Sequence, residues 1–187
     1  PTTRPTTGEG AVRAGVLNAV VHPEPPTLAF YLNSSTPTGA VVSKIFDGLV
    51  EYGPDLKPRP VLAESWTVSE DGKTITFKLR QGELWHDGKP FTSADVKWSA
   101  EEVWLKHAPS ARRVFQYLQK VEAPDDHTVV LHLSQPTPVA LNAIDSLGAP
   151  ILPRHLFEGT DIQNNPYNNK PTGTGPFVFK EWNRGNY

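Results

Sequence analysis

Apolar residues recur at every second position in several short stretches of the chain, and this pattern predicts β-strands. Ile75, Phe77 and Leu79 lie on one face of such a stretch, with polar residues between them. Residues 66–68 alternate in the same way, and the turn-forming residues 70–73 separate the two stretches, so a β-hairpin is predicted here. Further strands are predicted over residues 12–21, 128–133 and 177–182, with a turn at 124–127 before the second of them.

A spacing of three or four residues between apolar positions predicts helices in other segments. One helix is predicted from Thr38 to about Gly48. A second helix begins after Thr92, because Asp95 three residues later completes a capping box, and it ends near Pro109. Its apolar face consists of Val96, Ala100, Val103 and Trp104. Residues 112–120 are helical or irregular, and shorter helical stretches are predicted over 139–147 and 154–157.

The composition is that of a folded domain, and it excludes several classes of function. Hydrophobic residues make up 37% of the 187 residues, which is enough for a core. The 18 basic and 20 acidic residues are well mixed, which argues against nucleic acid as a partner. No apolar run approaches the roughly 18 residues of a membrane span, so no membrane insertion is expected. Without cysteine the chain has no disulfide and no thiol nucleophile.

The first residues are typical of a processed N-terminus. The sequence contains no Met and opens with a stretch rich in Thr, Pro and Gly. We therefore expect residues 1–11 to be a mobile leader that follows a removed signal peptide.

The chemically reactive residues do not form a recognisable catalytic, metal or cofactor motif. His86 and Asp87 are adjacent in a turn sequence, where neighbouring side chains point in different directions, so a structural turn is favoured over a ligand pair. The six histidines are scattered without the spacing of a zinc site. The neighbouring carboxylates Glu101 and Glu102 do not have the separation that a glycosidase requires. We expect no catalytic residue, no metal site and no cofactor.

Several short motifs occur together in a recognisable order. They are Ile45-Phe46-Asp47-Gly48-Leu49, Leu62-Ala63-Glu64-Ser65-Trp66, Phe77-Lys78-Leu79-Arg80, the run from Trp85 to Phe91, Asp95-Val96, and the run from Gly173 to Phe177. In this order the chain resembles, over about residues 12–187, the extracellular solute-binding protein family 5, which includes oligopeptide-, dipeptide- and nickel-binding receptors of ABC importers.

The resemblance implies an α/β fold and a binding function. It implies a lobe like that of type II periplasmic binding proteins, with a mixed sheet and a family-specific α+β subdomain. Residues 12–47 and 150–187 would belong to lobe I and residues 48–149 to its extra subdomain. Because family members are much longer, we expect a chain truncated near Tyr187, with the second lobe absent.

The same resemblance implies a secreted receptor that is periplasmic or extracytoplasmic and is not an enzyme. It would capture a solute, most simply a peptide, between two lobes and deliver it to the permease subunits of the transporter. A nickel chelate, an opine or an oligosaccharide stays open as the ligand. A hydrolase or a protein-interaction module is the alternative from another class.

Three segments are the candidates for ligand binding. Asn33, Ser34, Ser35 and Thr36 join a strand to a helix and carry hydroxyl and backbone groups that bind polar ligands, although helix capping alone would also explain them. Arg112, Arg113 and Phe115 combine cationic and aromatic groups that suit a cleft, although an amphipathic core helix is equally consistent. Thr172, Gly173 and Thr174 precede Gly175 and Pro176, which favours a hinge or a loop at the cleft edge over a phosphate loop.

Overall fold

The computed structural model describes residues 18–185. The predicted leader at 1–11 and most of the strand predicted over 12–21 lie outside this range. Residues 18–21, which belong to that predicted strand, are irregular.

A four-stranded antiparallel sheet forms the centre of the fold. Its strands are β3 (Ala63–Val68), β4 (Thr74–Leu79), β5 (Leu118–Asp125) and β6 (Thr128–Leu133), in the spatial order β3-β4-β6-β5. The predicted hairpin is confirmed, since Trp66 pairs with Phe77 and Val68 with Ile75. The strand predicted over 128–133 is confirmed as well, and it pairs with β4 through Phe77 and Val129. Period-two alternation leaves one face apolar, and the buried side chains of that face begin the core.

The apolar face of this sheet is covered by a helix whose start the sequence predicts correctly. Helix α2 (Ser93–Trp98) follows the N-cap residue Thr92 and continues as a π-helical turn, Ser99–Trp104. The Asp95 carboxylate accepts a hydrogen bond from the Thr92 backbone N–H at 2.9 Å, as the capping box requires. Pro109 then opens the short helix α3 (Pro109–Val114).

The first helix is shorter than predicted and starts earlier. Helix α1 (Thr36–Val42) has Ser35 rather than Thr38 at its N-cap. It stops before Ile45 because the carbonyls of Lys44 and Ile45 accept hydrogen bonds from the Phe177 and Gly175 backbone N–H groups, at 3.1 and 2.8 Å. The chain then enters a small antiparallel ribbon of β1 (Val50–Tyr52) and β2 (Pro58–Pro60).

Three further predicted elements differ from the structure. The segment predicted as helical or irregular over 112–120 ends in a strand, since β5 begins at Leu118. Residues 138–143 form a 3-10 helix instead of the longer helix predicted over 139–147, because the Asp145 carboxylate accepts hydrogen bonds from the Leu147 and Gly148 N–H groups and turns the chain. The strand predicted over 177–182 is wrong, since no strand of the described chain pairs with it. Phe177 and Val178 there are 59% and 68% exposed.

The last part of the described chain consists of short turns around a buried core. Helix α4 (Arg154–Phe157) confirms the predicted helical turn, and two 3-10 turns follow at Ile162–Asn164 and Pro166–Asn168. Buried apolar side chains from Ala29 to Ile162 form one continuous cluster. The α/β class is confirmed, and every strand pair within residues 18–185 is antiparallel. The domain boundaries near residues 47 and 150 stay predictions.

None of the helices in the described range is long and apolar enough to cross a lipid bilayer.

Candidate functional site

The loop before α1 is held by its own polar side chains. Asn33 Oδ1 accepts a hydrogen bond from the Ser35 backbone N–H at 3.0 Å, and Ser35 Oγ lies 2.8 Å from Thr38 Oγ1. Asn33 and Ser35 therefore shape the loop, and the Ser35 side chain does not cap the helix. Ser34 and Thr36 are exposed, and their hydroxyls have no hydrogen-bond partner within the described chain. These two hydroxyls are the side-chain groups of the loop that are available for further hydrogen bonds.

The candidate loop at residues 172–175, called the glycine loop below, packs against the chain just beyond α1. A Cβ atom at Gly173 would overlap the Ile45 carbonyl, and one at Gly175 would lie 2.7 Å from the same oxygen. Glycine is required at both positions for this close approach of two backbones. Thr172 and Thr174 flank Gly173, are half-buried, and make no side-chain hydrogen bond among residues 18–185. The loop therefore has a fixed backbone and two available hydroxyl groups.

His86 fastens this glycine loop to the turn that follows the central hairpin. Its backbone N–H donates to the Gly173 carbonyl at 2.9 Å. Its ring joins the same loop twice: Nδ1 accepts from the Gly173 N–H at 3.2 Å, and Nε2 lies 2.8 Å from the Gly175 carbonyl oxygen. Since a carbonyl only accepts hydrogen bonds, Nε2 carries the proton and Nδ1 does not. The surroundings select one neutral tautomer of the ring.

Asp87, the next residue, contacts a different element. Its Oδ2 lies 2.6 Å from Nε2 of His155 in α4, and its Oδ1 accepts from the Lys89 backbone N–H at 3.1 Å. Burial acts to raise the pKa of Asp87, but the hydrogen bonds from His155 and Lys89 outweigh it and hold the pKa below its ordinary value. His86 and Asp87 thus face different partners, as the turn interpretation predicts.

The third candidate segment divides into exposed and buried parts. Arg112 and Arg113 lie in the last turn of α3, and both are exposed. The prediction that Phe115 lines a cleft is wrong, because its ring is 0% exposed and lies 4.9 Å from the Trp104 ring. Helix α3 packs against the π-helical turn and the 3-10 helix at 138–143. No hydrogen bond in the described range joins α3 to either of the other candidate loops.

Sequence reasoning missed an open groove of about 580 Å³. One side is formed by Pro166, Asn169 and Lys170 and the other by residues 179–182 and Arg184. Asn169 Oδ1 accepts from the Thr27 hydroxyl at 3.1 Å, and the Thr27 carbonyl accepts from Thr38 of α1 at 2.8 Å. Thr27 therefore connects the Asn169 side of the groove to the first turn of α1. The sequence signal that could have indicated this groove is the pair of Trp182 and Arg184, two residues apart.

The groove contains a cation above an aromatic ring. The Arg184 guanidinium carbon lies 4.2 Å from the Trp182 ring centroid, and the guanidinium also donates to the Pro26 carbonyl. Trp182 Nε1 donates to the Glu24 carboxylate at 3.0 Å. These contacts join residues 24–26 to residues 182–184.

Nothing in the described residues resembles a metal centre. No group of three or more His, Asp or Glu side chains lies close enough together within residues 18–185 to hold an ion.

Comparison with known proteins places the chain in a family. Residues 57–187 match the bacterial extracellular solute-binding proteins, family 5 Middle. The chain belongs to this family. The resemblance found in the motifs is therefore confirmed, and both the His86 turn and the glycine loop lie inside the matched region of the family 5 chain.

Three similar proteins illustrate the relationship. Protein XP55 of Streptomyces lividans is 37% identical over 145 residues, which cover 76% of this chain and 26% of XP55. The periplasmic binding protein AgaA from A. tumefaciens R10, solved with agropinic acid, is 40% identical with a TM-score of 0.74 over 87% of this chain and 32% of AgaA. The oligopeptide-binding protein AppA from Bacillus subtilis, solved with a nonapeptide, is 26% identical with a TM-score of 0.77 over 87% of this chain and 33% of AppA. The family 5 chain thus spans about a third or less of their lengths.

Proposed function

We propose that the whole protein is the solute-binding receptor of an ABC-type importer, and that this chain supplies one wall of its binding cleft. The observation that carries the proposal is the family 5 match over residues 57–187. The geometry adds support, because unpartnered hydroxyls of Ser34 and Thr36 lie at one end of α1, and the loop with Thr172 and Thr174 packs beyond its other end. Neutral hydroxyls on fixed loops suit reversible capture of a polar solute.

The proposed solute is a peptide long enough to reach both loops. Helix α1 has seven residues and is therefore about 10 Å long. A solute that contacts the loops at both of its ends must span at least this distance. Three residues of an extended peptide span about 10 Å. The nonapeptide in AppA and the agropinic acid in AgaA are ligands of those proteins, and a nickel chelate, an opine or an oligosaccharide is the alternative here.

In this proposal the protein captures a solute reversibly and catalyses no reaction. Two lobes close on the solute and exclude water, and the closed form is delivered to the permease subunits. Residues 18–47 and 150–185 would belong to lobe I and residues 48–149 to its extra subdomain. The second wall of the cleft would correspond to the two thirds of AppA that this chain does not cover. Family 5 is a family of extracellular proteins, and a periplasmic or extracytoplasmic site is proposed for this member.

Native mass spectrometry of the full-length protein purified from its host tests the solute class directly. A bound mass that fragments as a peptide is expected. Titration calorimetry with di-, tri- and pentapeptides should then give the tightest binding for tripeptides or longer peptides. A co-purified sugar, opine or metal chelate would refute the peptide class. Multiple turnover of a peptide would refute the receptor function.

The isolated chain gives a second test. A receptor with micromolar affinity has about 8 kcal/mol of binding free energy, and half of that corresponds to roughly millimolar affinity. The 187-residue chain alone should therefore bind a tripeptide in the millimolar range or not measurably. Micromolar binding by the isolated chain would contradict the proposal that a second wall is needed.

A further inference from the structure

We propose that His86 is a positioning residue for the glycine loop, residues 172–175, and that it acts through a single neutral tautomer. This proposal rests on the proposed function, because it assigns the glycine loop to ligand binding. His86 makes three hydrogen bonds to this loop, one from its backbone and two through its ring. The two partners in the loop are 87 and 89 residues away along the chain.

The loop is held on two sides, by Ile45 and by His86. On one side the Ile45 carbonyl accepts from the Gly175 N–H at 2.8 Å, and on the other side the His86 ring lies between the Gly173 N–H and the Gly175 carbonyl. Both glycines approach Ile45 too closely for any Cβ, so the loop is fixed between two fitted surfaces. Thr174 lies between the two glycines, so its hydroxyl moves with them.

The two ring nitrogens have different roles, and this difference can be separated by substitution. Nδ1 must accept a hydrogen bond, and Nε2 must donate one. The Asn side chain places its oxygen where Nδ1 stands, and the Gln side chain places its nitrogen where Nε2 stands. His86→Asn therefore keeps the acceptor for Gly173, His86→Gln keeps the donor for Gly175, and His86→Phe keeps neither.

Asp87 provides the matched control. It belongs to the same turn but contacts His155 of α4 and the Lys89 backbone. Asp87→Asn perturbs the turn while leaving every contact between His86 and the glycine loop in place. It should change the stability of the protein without changing the position of residues 172–175.

The experiment uses the full-length protein with ¹⁵N-labelled glycine and histidine and ¹³C-labelled glycine carbonyls. The unaltered protein should show an unprotonated Nδ1 and a protonated Nε2 for His86 at neutral pH. Amide exchange at Gly173 should accelerate about fivefold to tenfold in His86→Gln and His86→Phe and stay near the original rate in His86→Asn. The Gly175 carbonyl shift should change in His86→Asn and His86→Phe but not in His86→Gln.

Binding is measured in the same variants with trialanine as the probe. His86→Phe should weaken its binding about tenfold, the Asn and Gln variants less, and Asp87→Asn not at all. Equal exchange in all three His86 variants, or the opposite tautomer in the unaltered protein, would overturn the proposal. If a variant fails to fold, the tautomer of the unaltered protein still decides. Absence of trialanine binding by the unaltered protein would count against the proposed peptide ligand, and the crossed exchange pattern would then decide the role of His86.

Discussion

Phe115 and Phe177 offer a direct comparison of a core ring with a surface ring. Phe115 is fully buried and packs on Trp104, whereas Phe177 is 59% exposed. Truncating a buried Phe to Ala costs about 3–5 kcal/mol, because the transfer free energy is lost and a cavity remains. We expect Phe115→Ala to lower the free energy of unfolding by this amount.

The matched variant Phe177→Ala should change the free energy of unfolding by less than about 0.5 kcal/mol, as surface substitutions do. For a chain of this size, 1 kcal/mol shifts the melting temperature by about 2–4 °C, so Phe115→Ala should lower it by roughly 6–20 °C. Urea unfolding followed by tryptophan fluorescence, with thermal unfolding by circular dichroism, measures both variants.

The competing explanation for Phe115 is a contact with ligand. It predicts weaker solute binding by Phe115→Ala with unchanged unfolding. That result, or equal unfolding midpoints for the two variants, would refute the reasoning from burial. Phe115→Leu serves as an intermediate case, because it retains most of the apolar volume and should lose less stability than the Ala variant.

Three further predictions concern the contacts of the candidate site and its supports. Gly173→Ala should lose about 0.5–1.5 kcal/mol for each loop hydrogen bond that it breaks, seen in urea unfolding, and a variant as stable as the original would contradict the close approach to Ile45. Asp95→Ala removes the acceptor for the Thr92 and Arg154 backbone N–H groups and should cost about 1–3 kcal/mol for each donor left unpaired, whereas Asp95→Asn should cost less. Asp87 has a lowered pKa in the folded protein, so it contributes stability above its unfolded pKa of about 3.9 and loses it as the pH falls through the folded value. Unfolding measured between neutral and acidic pH should therefore have a shallower acid dependence in Asp87→Asn, and an unchanged slope would contradict this sign.

The sequence predicts local elements well where the pattern and the boundary signal agree. The hairpin around Asp71 and Gly72 has alternating strands on both sides and a positive φ at Gly72, which the turn requires. The helix after Thr92 has both a capping signal and an apolar face. The spacing of apolar residues and the capping or turn residues at the ends of an element depend only on nearby residues. Both can therefore be recognised without knowledge of the fold.

The predictions fail where distant residues decide the local structure. Helix α1 ends before Ile45 because Gly175 and Phe177, more than a hundred residues later, bind its following carbonyls. Residues 177–182 alternate like a strand but have no strand beside them in the described chain. Alternation records which side chains share a face, and it does not supply the neighbouring strand that a sheet requires.

In the candidate site, too, the sequence predicts what nearby residues decide and misses what distant residues decide. The sequence identifies Thr172 and Thr174 as loop residues, but nothing local indicates that His86 holds that loop. Phe115 and Arg113 are near neighbours in the sequence, yet one is buried and the other exposed. The register of a short helix against the core decides this, and a six-residue helix such as α3 carries too little periodicity to fix it.

The order of strands in the central sheet has a consequence for how the protein folds. Strands β3 and β4 form one hairpin and β5 and β6 another, each closed by a short turn, so each can form within microseconds. The pairing of β4 with β6 joins residues about 50 positions apart, such as Lys78 and Thr128. The whole of α2 lies in the segment between these two strands. Closing that loop carries the larger entropic cost. We therefore expect two early hairpins and a rate-limiting docking step, in which Phe77 and Val129 meet late.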